Sequence, residues 1–341
     1  MIKEAIGKAV TVKNLTEKEA MDTMTEIMSG QATESQIAAF ITAMRMKGET
    51  IEEITGCAKI MRQFATPFES KAPKGEKIID TCGTGGDSSK TFNVSTLSAF
   101  VCAGAGAYVV KHGNRAVTSS CGSADLFEAL GVKLELNKEQ AEKCLADVGI
   151  VFLFAPAWHS AMKYAMPVRK QIAIRTIFNI LGPLSNPANP AGQVLGVYSL
   201  DLIEPLAYVL KNIGLKQAFV VHSRDGLDEI SVSDETKICE LTNNKIKQYT
   251  IRPEDFGMER SKLEDLTGGD TACNKQILLD ILSGQVGPKR DFVLINAAAA
   301  LVCAGKAKNI NDGIKLAEKS IDSGNALKKV ELLKDFTSKL Q

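Results

Sequence analysis

The stretch KIIDTCGTGGDSSKTFNVSTLSAFVCAGAG, residues 77–106, decides the fold class. It begins as a short apolar strand, turns on three glycines at positions 83, 85 and 86, and continues as a helix that opens near Ser95. Glycine lets the backbone approach a bulky anion closely, and successive N–H groups can then point inward as a nest. The helix start adds N–H donors and a positive dipole. The stretch predicts an α/β unit with a phosphate site at the glycine turn, and an ordinary polar turn is the alternative.

Two common phosphate motifs do not match this glycine turn. A Walker loop requires glycine directly before a Lys-Thr pair, but Ser89 precedes Lys90 and Thr91. A dinucleotide fingerprint requires a third glycine where the chain has Ser88. The turn therefore predicts a phosphate site of a different kind. Neutral hydrogen-bond donors accompany it: Thr84, Thr91, Asn93, Ser95 and Thr96.

A second stretch, AYVVKHGNRAVTSSCGSAD at 107–125, repeats the order of strand, polar loop and helix. Lys111 and Arg115 bring two cations to this loop, and a helix is expected from Asp125. Two loops of this design suit a ligand that is phosphorylated at both ends. Taken alone, the second loop also fits a solvated basic turn. Its hydroxyl groups and backbone donors before the helix are at Ser119, Ser120, Gly122 and Ser123.

Adjacent carboxylates follow another strand in HSRDGLDEIS, residues 222–231. Magnesium binds one or two protein carboxylates and completes its shell with substrate phosphates and water. Asp228 and Glu229 are therefore candidate magnesium ligands beside the two anion loops. A solvated acidic pair on the surface is the alternative, so the assignment depends on the combination of all three segments.

Residues 1–70 predict a run of short helices, because three capping boxes precede one-sided apolar patterns. Gly30 and Gly48 are expected to end the first two of these helices. The Met-rich faces suit packing among the helices or across a dimer, and a surface for another partner is the alternative. The capping boxes are Thr16 with Glu19, Thr33 with Gln36, and Thr50 with Glu53.

Beyond residue 76, short apolar segments alternate with helical patterns and indicate a mostly parallel sheet with helical cover. We expect strands at 77–80, 108–111, 150–155, 193–199 and 217–222, then a hairpin at 237–251 around Asn243 and Asn244. A helical insertion at 156–174 interrupts this order. The Gly-Pro-Asn cluster from Gly182 to Pro190 predicts a rigid loop. Four helices are expected at the end of the sequence, at 274–282, 292–304, 310–323 and from 325 onward.

Length and charge limit the classes of function. At 341 residues the chain is long enough for about two domains. Its 41 basic and 40 acidic residues give a net charge of +1, which provides no general field for nucleic acid or an acidic membrane. The first residues lack the apolar stretch of a secretory signal, and no run reaches the ~18 apolar residues of a membrane span. Eight cysteines without a C-x-x-C pair fit reduced thiols better than zinc or disulfides. We therefore expect a cytoplasmic protein without nucleic-acid or membrane partners.

Taken together, these segments resemble the anthranilate phosphoribosyltransferase family. The resemblance spans nearly the whole chain and is carried by DTCGTGGD, TFNVST, KHGNR, GSAD, PVRKQIAIRTIFNILGPLSNPA and GLDEIS, in the family's order and spacing. It implies transfer of the 5-phosphoribosyl group from phosphoribosyl diphosphate (PRPP) to the amine of anthranilate, with release of pyrophosphate, in tryptophan biosynthesis. It also implies Mg²⁺ as cofactor, with two ions per active site.

The resemblance implies the family's fold as well. A discontinuous small helical domain, formed by residues 1–70 and an inserted segment near 160–190, is expected beside a larger α/β domain of residues 71–341. The larger domain is expected to hold a mixed, mostly parallel sheet of the nucleoside phosphorylase and phosphoribosyltransferase type. The active site would lie between the two domains, and a homodimer would form through the helical domains.

Roles of individual residues also follow from the resemblance. Catalysis is assigned to Asp228, Glu229 and Arg169, and magnesium to Ser95, Asp228 and Glu229. The positions expected to bind anthranilate are Gly83, Asn114, Arg169, His112 and Pro183. PRPP is expected to contact Gly83, Gly86, Asp87, Thr91, Asn93, Val94, Ser95, Thr96, Lys111, His112, Gly113, Asn114, Arg115, Ala116, Val117, Thr118, Ser119 and Ser123.

Arginine and histidine residues near these motifs allow more than one interpretation. An arginine suits a planar carboxylate because its fork meets both oxygens, although Arg169 also fits a solvated position on a helix. His112 fits a residue that shapes the aromatic pocket better than a general base. His159 and His222 are assigned to packing or loop structure, and Arg175 to structure.

One departure from the family concerns the second loop. Family members commonly carry a lysine and a serine before Gly-Ser-Ala-Asp, whereas this chain has Ser120 and Cys121. The missing cation affects the expected strength of phosphate binding more than the reaction.

Two other functions are alternatives: a pyrimidine nucleoside phosphorylase, which would use phosphate without magnesium, and a non-catalytic relative that binds nucleic acid. The carboxylate pair, the KHGNR loop and the near-zero net charge count against them.

Overall fold

The computed structural model describes residues 1–86, 90–116 and 120–340. Within these ranges the chain folds into a seven-stranded sheet with helices on both faces. The strands are β1 Ile78–Gly83, β2 Tyr108–Gly113, β3 Ile150–Phe154, β4 Gly192–Gly196, β5 Gln217–Ser223, β6 Thr236–Thr242 and β7 Lys245–Ile251. The helices are α1 Ile2–Val10, α2 Glu17–Met28, α3 Glu34–Lys47, α4 Ile51–Gln63, α5 Val94–Gly104, α6 Ser123–Ala129, α7 Lys138–Val148, α8 Ala155–Trp158, α9 Met166–Ile172, α10 Ile177–Leu184, α11 Ile203–Asn212, α12 Thr271–Leu282, α13 Pro288–Cys303, α14 Ile310–Asp322 and α15 Asn325–Ser338.

The helices α2, α3 and α4 begin where the sequence predicts. The hydroxyl groups of Thr16, Thr33 and Thr50 each accept the N–H of the residue three positions later, and all three capping boxes are complete. Gly48 ends α3 with a φ of 84°, and Gly30 follows α2 with a φ of 75°. Both angles lie in the left-handed region that favours glycine. The predicted starts and ends of these helices are therefore confirmed.

A buried ion pair fastens the turn between α3 and α4. The Glu53 carboxylate accepts the N–H of Leu15 at 2.7 Å and that of Thr50 at 2.8 Å. It also lies 2.8 Å from Lys47 Nζ, and the two side chains are 0% and 2% exposed. Lys47 in turn donates to the Gly48 carbonyl at 2.6 Å. This network joins the segment before α2 to the α3–α4 turn.

The sheet has the strand order β3-β2-β1-β4-β5-β6-β7. The first five strands are parallel, and β6 and β7 add an antiparallel hairpin. The hairpin turns at Asn243 and Asn244, whose φ angles of 49° and 66° are those of a two-residue turn with both residues left-handed. The predicted hairpin and the mixed, mostly parallel sheet are confirmed.

The strand order reverses between β1 and β4, which are neighbours in the sheet. The helix after β1, α5, packs with α13 on one face, and the helix after β4, α11, packs on the other. Open α/β sheets bind ligands in the crevice beyond the carboxyl ends of their strands, at such a reversal. The segments after β1, β2, β4 and β5 all reach this edge.

Two hydrophobic cores flank the sheet. One contains α5, α13 and the last helices, whereas the other joins α2, α3 and α4 to α10 and α11. Because α10 shares a core with the N-terminal helices, the insertion packs with them across the sequence gap. The predicted domain boundaries stay a prediction. Within the described ranges, no helix is both long and apolar enough to cross a membrane.

The proline-rich segment differs from the prediction. A rigid loop is expected from Gly182, but α10 continues through Gly182 and Pro183. Proline lacks an N–H and normally breaks a helix, yet Pro183 is the next-to-last residue of α10, where little helix remains to be disrupted. Its carbonyl accepts Nε2 of Gln193 at 2.7 Å. The loop prediction is wrong for these two positions.

Candidate active site

The glycine turn after β1 is tied to the neighbouring strand β4. The N–H of Thr84 donates to the Gly196 carbonyl at 2.9 Å, and its hydroxyl accepts the N–H of Tyr198 at 3.1 Å. The next donor in the turn, the Gly85 N–H, lies 3.0 Å from Oδ2 of Asp228. The turn is therefore held by β4 and by the carboxylate that follows β5.

Two glycines allow Asp228 to lie this close to the turn. A Cβ at Gly83 would be 2.4 Å from Asp228 Oδ2, and a Cβ at Gly196 would be 1.5 Å from the Asp228 carbonyl oxygen. Gly83 and Gly196 face each other in the β1–β4 register. The family resemblance implies that Gly83 contacts substrate. Gly196 is not indicated by the sequence, because nothing in β4 shows which distant segment lies over it.

Two of the candidate magnesium ligands, Ser95 and Glu229, interact with one buried cation, Lys111. Ser95 is the second residue of α5, and its Oγ is 3.3 Å from Lys111 Nζ. Burial lowers the pKa of Lys111, and the negative charges of Asp80 and Glu229 oppose that effect. Glu229, the neighbour of Asp228, therefore acts on the same ammonium group that contacts Ser95.

Two carboxylates and a hydroxyl form an all-oxygen set, which fits magnesium. In the part of the chain that the structure describes, no three His, Cys, Asp or Glu side chains form a group able to hold a metal ion. An ion at Asp228 and Glu229 could complete its shell with oxygens from substrate and water, which is the usual coordination of magnesium.

Lys111 lies beneath the first loop rather than on the second. Its side chain is buried, and Nζ donates to the carbonyl of Thr81 in β1. Burial raises the pKa of the nearby Asp80 to about 6, and the charge of Lys111 opposes that effect. Nδ2 of Asn186 also donates to Asp80 at 2.8 Å. Lys111 supports Ser95 and the end of β1, and its contact with PRPP stays a prediction.

Asp125 closes the second loop at both ends. Its Oδ2 accepts the N–H of Ala116 and that of Gly122, each at 2.9 Å. The helix α6 begins at Ser123, two residues before the predicted start, and the Ser123 hydroxyl donates to the Asn114 carbonyl at 3.3 Å. The described ends of the loop are therefore joined by the helix that follows it, and a Cβ on Gly113 would lie 2.2 Å from the Ser123 hydroxyl.

Arg115, selected as a cation for PRPP, is engaged by acidic side chains of α6. Its Nη1 lies 2.7 Å from Glu128 and 3.1 Å from Asp125, and the guanidinium is 5.7 Å from the ring centroid of Phe154. Arg115 and Glu128 are both exposed, so each ion pair adds little to stability. The carboxylates of Asp125 and Glu128 in α6 therefore neutralise the charge of Arg115.

Residues 266–270, which no motif in the sequence indicates, join the ends of both loops. The Gly268 N–H donates to the Lys90 carbonyl at 2.7 Å. The Ser120 hydroxyl donates to the Gly269 carbonyl at 2.6 Å. Where family members commonly have lysine, this chain thus has a hydroxyl that attaches the second loop to the same segment as the first.

Asn274, in the first turn of α12, extends this junction. Its Oδ1 accepts the N–H of Asn93 at 3.2 Å, and Nδ2 of Asn93 donates to the Cys121 carbonyl at 3.0 Å. Thr91 forms an isolated antiparallel bridge with Thr267. Asn274 is buried, but its sequence context is that of an ordinary helix start, so no local pattern could have indicated it.

Some residues predicted to contact PRPP have buried side chains, and others lie outside the residues that the structure describes. The side chains of Val94 and Thr96 are buried, and their N–H groups bond to the carbonyls of Phe92 and Asn93. Their contacts with PRPP stay predictions. Four others lie outside the described residues: Asp87, Val117, Thr118 and Ser119.

Arg169 is a half-buried cation on α9. Burial lowers the pKa of its guanidinium, which lies 5.3 Å from the ring centroid of Phe178 and 3.6 Å from Sδ of Met166. Among the described residues, no acidic side chain forms an ion pair with it. An arginine in this setting suits the carboxylate of a ligand better than a solvated helix position. Lys170, by contrast, is exposed.

His112 and His159 form a buried pair near Pro183. Their ring centroids are 5.0 Å apart, and Nε2 of each ring is buried without a partner in the described structure. Burial lowers the pKa of His112 to about 3 and that of His159 to about 4. A hydrogen bond to the backbone of Gly182 partly opposes the shift of His112. Both rings are therefore neutral near pH 7.

We expect the pair to make the protein sensitive to acid. Histidine in the unfolded chain titrates near 6.5, so below that pH the unfolded state binds more protons than the folded state. Between pH 6.5 and 4 the two histidines should lower stability by roughly 1 kcal/mol each per pH unit. Asp80, whose raised pKa of about 6 favours the folded state as pH falls, should offset part of this loss. Urea unfolding from pH 7 to 4.5 measures this slope. His159→Gln should make the slope shallower, and an unchanged slope would contradict the assignment.

The fold and the site define a two-domain transferase of the glycosyl transferase type. The model of the glycosyl transferase family's a/b domain matches residues 75–327. The model of that family's helical bundle domain matches residues 3–65. The sequence therefore carries both parts of this enzyme class in one chain.

Individual relatives narrow the class. An anthranilate phosphoribosyltransferase from Methanobrevibacter smithii is 53% identical over 338 residues, covering 99% of this chain and all of the relative. The crystal structure of the Thermus thermophilus enzyme is 37% identical, with a TM-score of 0.92 over 98% of this chain and 99% of that one. The chain belongs to the anthranilate phosphoribosyltransferase family, which confirms the resemblance and the fold class predicted from the sequence.

Structures of the Saccharomyces cerevisiae enzyme include bound ligands. In the complex with PRPP and Mg, the yeast enzyme is 30% identical in sequence to this chain. Its structure has a TM-score of 0.90 and covers 99% of this chain and 98% of that one. In the complex with 4-fluoroanthranilate, the yeast enzyme is 29% identical in sequence to this chain. Its structure has a TM-score of 0.87 and covers all of this chain and 99% of that one.

Proposed function

We propose that this chain transfers the 5-phosphoribosyl group of PRPP to the amine of anthranilate and releases pyrophosphate, as a step of tryptophan biosynthesis in the cytoplasm. The observation that carries the proposal is the position of Asp228, 3.0 Å from the N–H of Gly85 in the glycine turn. A carboxylate at this place can share a divalent ion with a diphosphate held by the turn. The yeast relative solved with PRPP and Mg has the same fold over 99% of this chain.

The reaction exchanges one bond at C1 of the ribose for another. The bond from C1 to the diphosphate oxygen breaks, its electron pair leaves with pyrophosphate, and a bond forms from C1 to the amine nitrogen, which then loses a proton to water. An aromatic amine is neutral near pH 7, so its attack needs no strong base. His112, with a pKa of about 3, is too weak a base for that role and fits the wall of the pocket. Positioning and stabilisation of charge would supply most of the acceleration.

Magnesium would be held by Asp228, Glu229 and Ser95, and we propose two ions per site. When bound, it neutralises charge on the departing diphosphate. The chain prepares these ligands in advance, since the Gly85 N–H orients Asp228 and Lys111 contacts Ser95. The first loop then places the diphosphate, and the second loop, closed by Asp125, is available for the 5-phosphate.

The proposal is tested by following anthranilate fluorescence with PRPP and magnesium present. Fluorescence should fall, pyrophosphate should appear in equal amount, and a chelator should abolish both. Phosphorolysis of thymidine without magnesium, and no loss of anthranilate, would indicate a nucleoside phosphorylase instead. Binding to DNA at physiological salt without turnover would indicate a non-catalytic relative.

Arg169→Ala is expected to weaken the binding of anthranilate without weakening the binding of PRPP. Loss of a charge-assisted contact to the carboxylate should raise the KM for anthranilate about 10- to 100-fold. The KM for PRPP should stay close to that of the wild type, because Arg169 lies on the helical insertion rather than on either anion loop. Steady-state kinetics measures both constants. Lys170→Ala, an exposed neighbour on the same helix, is the matched control, and equal behaviour of the two variants would rule out the assigned role.

We propose that a second copy of the chain covers an apolar surface on the helical region. Val10, Val12 and Met46 are 63%, 70% and 84% exposed near the ends of α1 and α3, two helices that pack together. Val12 has a φ of 58°, which is unusual for a β-branched residue and marks a constrained segment. A homodimer through this surface would remove the apolar side chains from water.

Light scattering after size-exclusion chromatography should give the mass of a dimer for the wild type. Met46→Glu should shift the protein toward the mass of one chain, because it places a charge in the interface. Val286→Glu changes an equally exposed residue in the α/β region, 79% exposed, and should leave the dimer intact. A wild-type protein with the mass of one chain would contradict the proposed homodimer.

A further inference from the structure

Arg175, assigned to structure from the sequence, lies at the mouth of the first loop. It is in the segment between α9 and α10, and its Nη2 donates to the carbonyl of Gly86. The guanidinium also stacks over the ring of Tyr198, 4.5 Å from the centroid. Tyr198 follows β4 and donates its own N–H to Thr84 in the same loop. The arginine is therefore held against the glycine turn by two independent contacts.

Gly86 leaves room for the Arg175 side chain because it has no Cβ. Its φ of 77° lies in the left-handed region, and a Cβ there would be 2.8 Å from Nη2 of Arg175. Any side chain at Gly86 would consequently disturb both the turn and the guanidinium. The close approach brings a cation from the helical insertion to the phosphate loop of the α/β region.

The described cations around the two loops differ in what they face. Lys111 is buried beneath β1, and Arg115 is paired with the acidic side chains of α6. Lys90, at the far end of the first loop, is exposed. Arg175 is also exposed, and no carboxylate in the described ranges forms an ion pair with it. Its charge at the glycine turn is therefore available to an anionic ligand.

We infer that Arg175 contacts the diphosphate of bound PRPP and the departing pyrophosphate. The inference rests on the proposed function and adds a residue to it. Because Nη2 is bonded to Gly86, the remaining N–H groups of the fork can meet phosphate oxygens, which guanidinium binds in bidentate geometry. When the bond from C1 to the diphosphate oxygen breaks, negative charge increases on the leaving group. A fixed cation at this place favours that change.

Calorimetry with magnesium pyrophosphate tests the contact without relying on turnover. Arg175→Ala should weaken pyrophosphate binding ~10- to 100-fold, and Arg175→Lys should weaken it less, because lysine keeps the charge but not the fork. Arg175→Gln removes the charge and the fork but retains an amide donor on a shorter side chain, so it should bind pyrophosphate about as weakly as the alanine variant. Lys170→Ala, an exposed cation outside the loop, should bind as the wild type does.

The salt dependence of binding separates a ligand contact from a role in holding the loop. Loss of a charge that touches pyrophosphate should reduce the dependence of affinity on salt concentration in both neutral variants. Weaker binding with an unchanged salt dependence would mean that Arg175 only holds the loop, and would overturn the inference. So would affinity within twofold of the wild type. If the wild type binds pyrophosphate as expected but consumes no anthranilate, the proposed function fails while the contact stands.

Discussion

Alanine at Asp228 is expected to lower kcat on the order of 10³-fold without unfolding the protein. This side chain provides a carboxylate to magnesium and accepts the Gly85 N–H at 3.0 Å, and alanine removes both functions. Asp228→Asn keeps an oxygen for the N–H and removes only the charge. It should be nearly as inactive, because charge is what the metal requires. Glu229→Ala should also lose most turnover. Steady-state kinetics with magnesium titration measures all three variants.

Gly196→Ala moves the same carboxylate without removing it. The new methyl group would lie 1.5 Å from the Asp228 carbonyl oxygen, so the segment after β5 must shift. A displacement of about 1 Å in a catalytic group can cost about 10²-fold in rate. Gly7→Ala is the matched control, since a methyl group there meets nothing within 4 Å. Near wild-type kcat in folded Asp228→Ala or Gly196→Ala protein would contradict the assigned site.

Glu53→Ala is expected to have the largest effect on stability, lowering the free energy of unfolding by about 3–5 kcal/mol. Its carboxylate accepts two backbone N–H groups and pairs with Lys47 at 2.8 Å, and both side chains are fully buried. Alanine leaves a buried ammonium group without its counter-charge and two N–H donors without an acceptor. Urea unfolding followed by circular dichroism measures the loss.

Two further variants show whether the buried charge is the cause. Glu53→Gln keeps acceptors for the backbone N–H groups and should be destabilised less than Glu53→Ala. Asp22→Ala breaks the exposed pair with Lys18, whose distance of 2.9 Å is similar, and should cost less than about 1 kcal/mol. If Glu53→Ala unfolds no more easily than Asp22→Ala, the buried pair does not stabilise the turn as described.

Features decided by neighbouring residues could be predicted from the sequence. The capping boxes at Thr16, Thr33 and Thr50 set the starts of three helices, because cap and partner are only three residues apart. The Asn243-Asn244 pair set the hairpin for the same reason, as both residues tolerate positive φ. The glycine turn and the Asp228-Glu229 pair were also visible as local patterns. Their convergence follows from the strand order, which places β1, β4 and β5 side by side.

Features decided by distant contacts could not be predicted. Gly196 is required by the backbone of Asp228, 32 positions later, and Asn274 meets the backbone of Asn93 across 181 positions. Arg175 reaches Gly86 across 89 positions. Each of these residues occurs in an ordinary strand, helix or loop context, so only the folded chain shows its neighbour. The surroundings of the two predicted cations also depend on the fold, since β2 carries Lys111 inward and an acidic side chain of α6 pairs with Arg115.

The central claim is that the first glycine turn and the carboxylates after β5 hold one diphosphate through magnesium. A crystal structure of the wild type with PRPP and magnesium tests it directly. The account predicts the diphosphate at the turn of Gly83 to Gly86, with oxygens of Asp228 or Glu229 about 2.1 Å from the ion. A diphosphate bound elsewhere, or an ion that contacts neither carboxylate, would contradict the account.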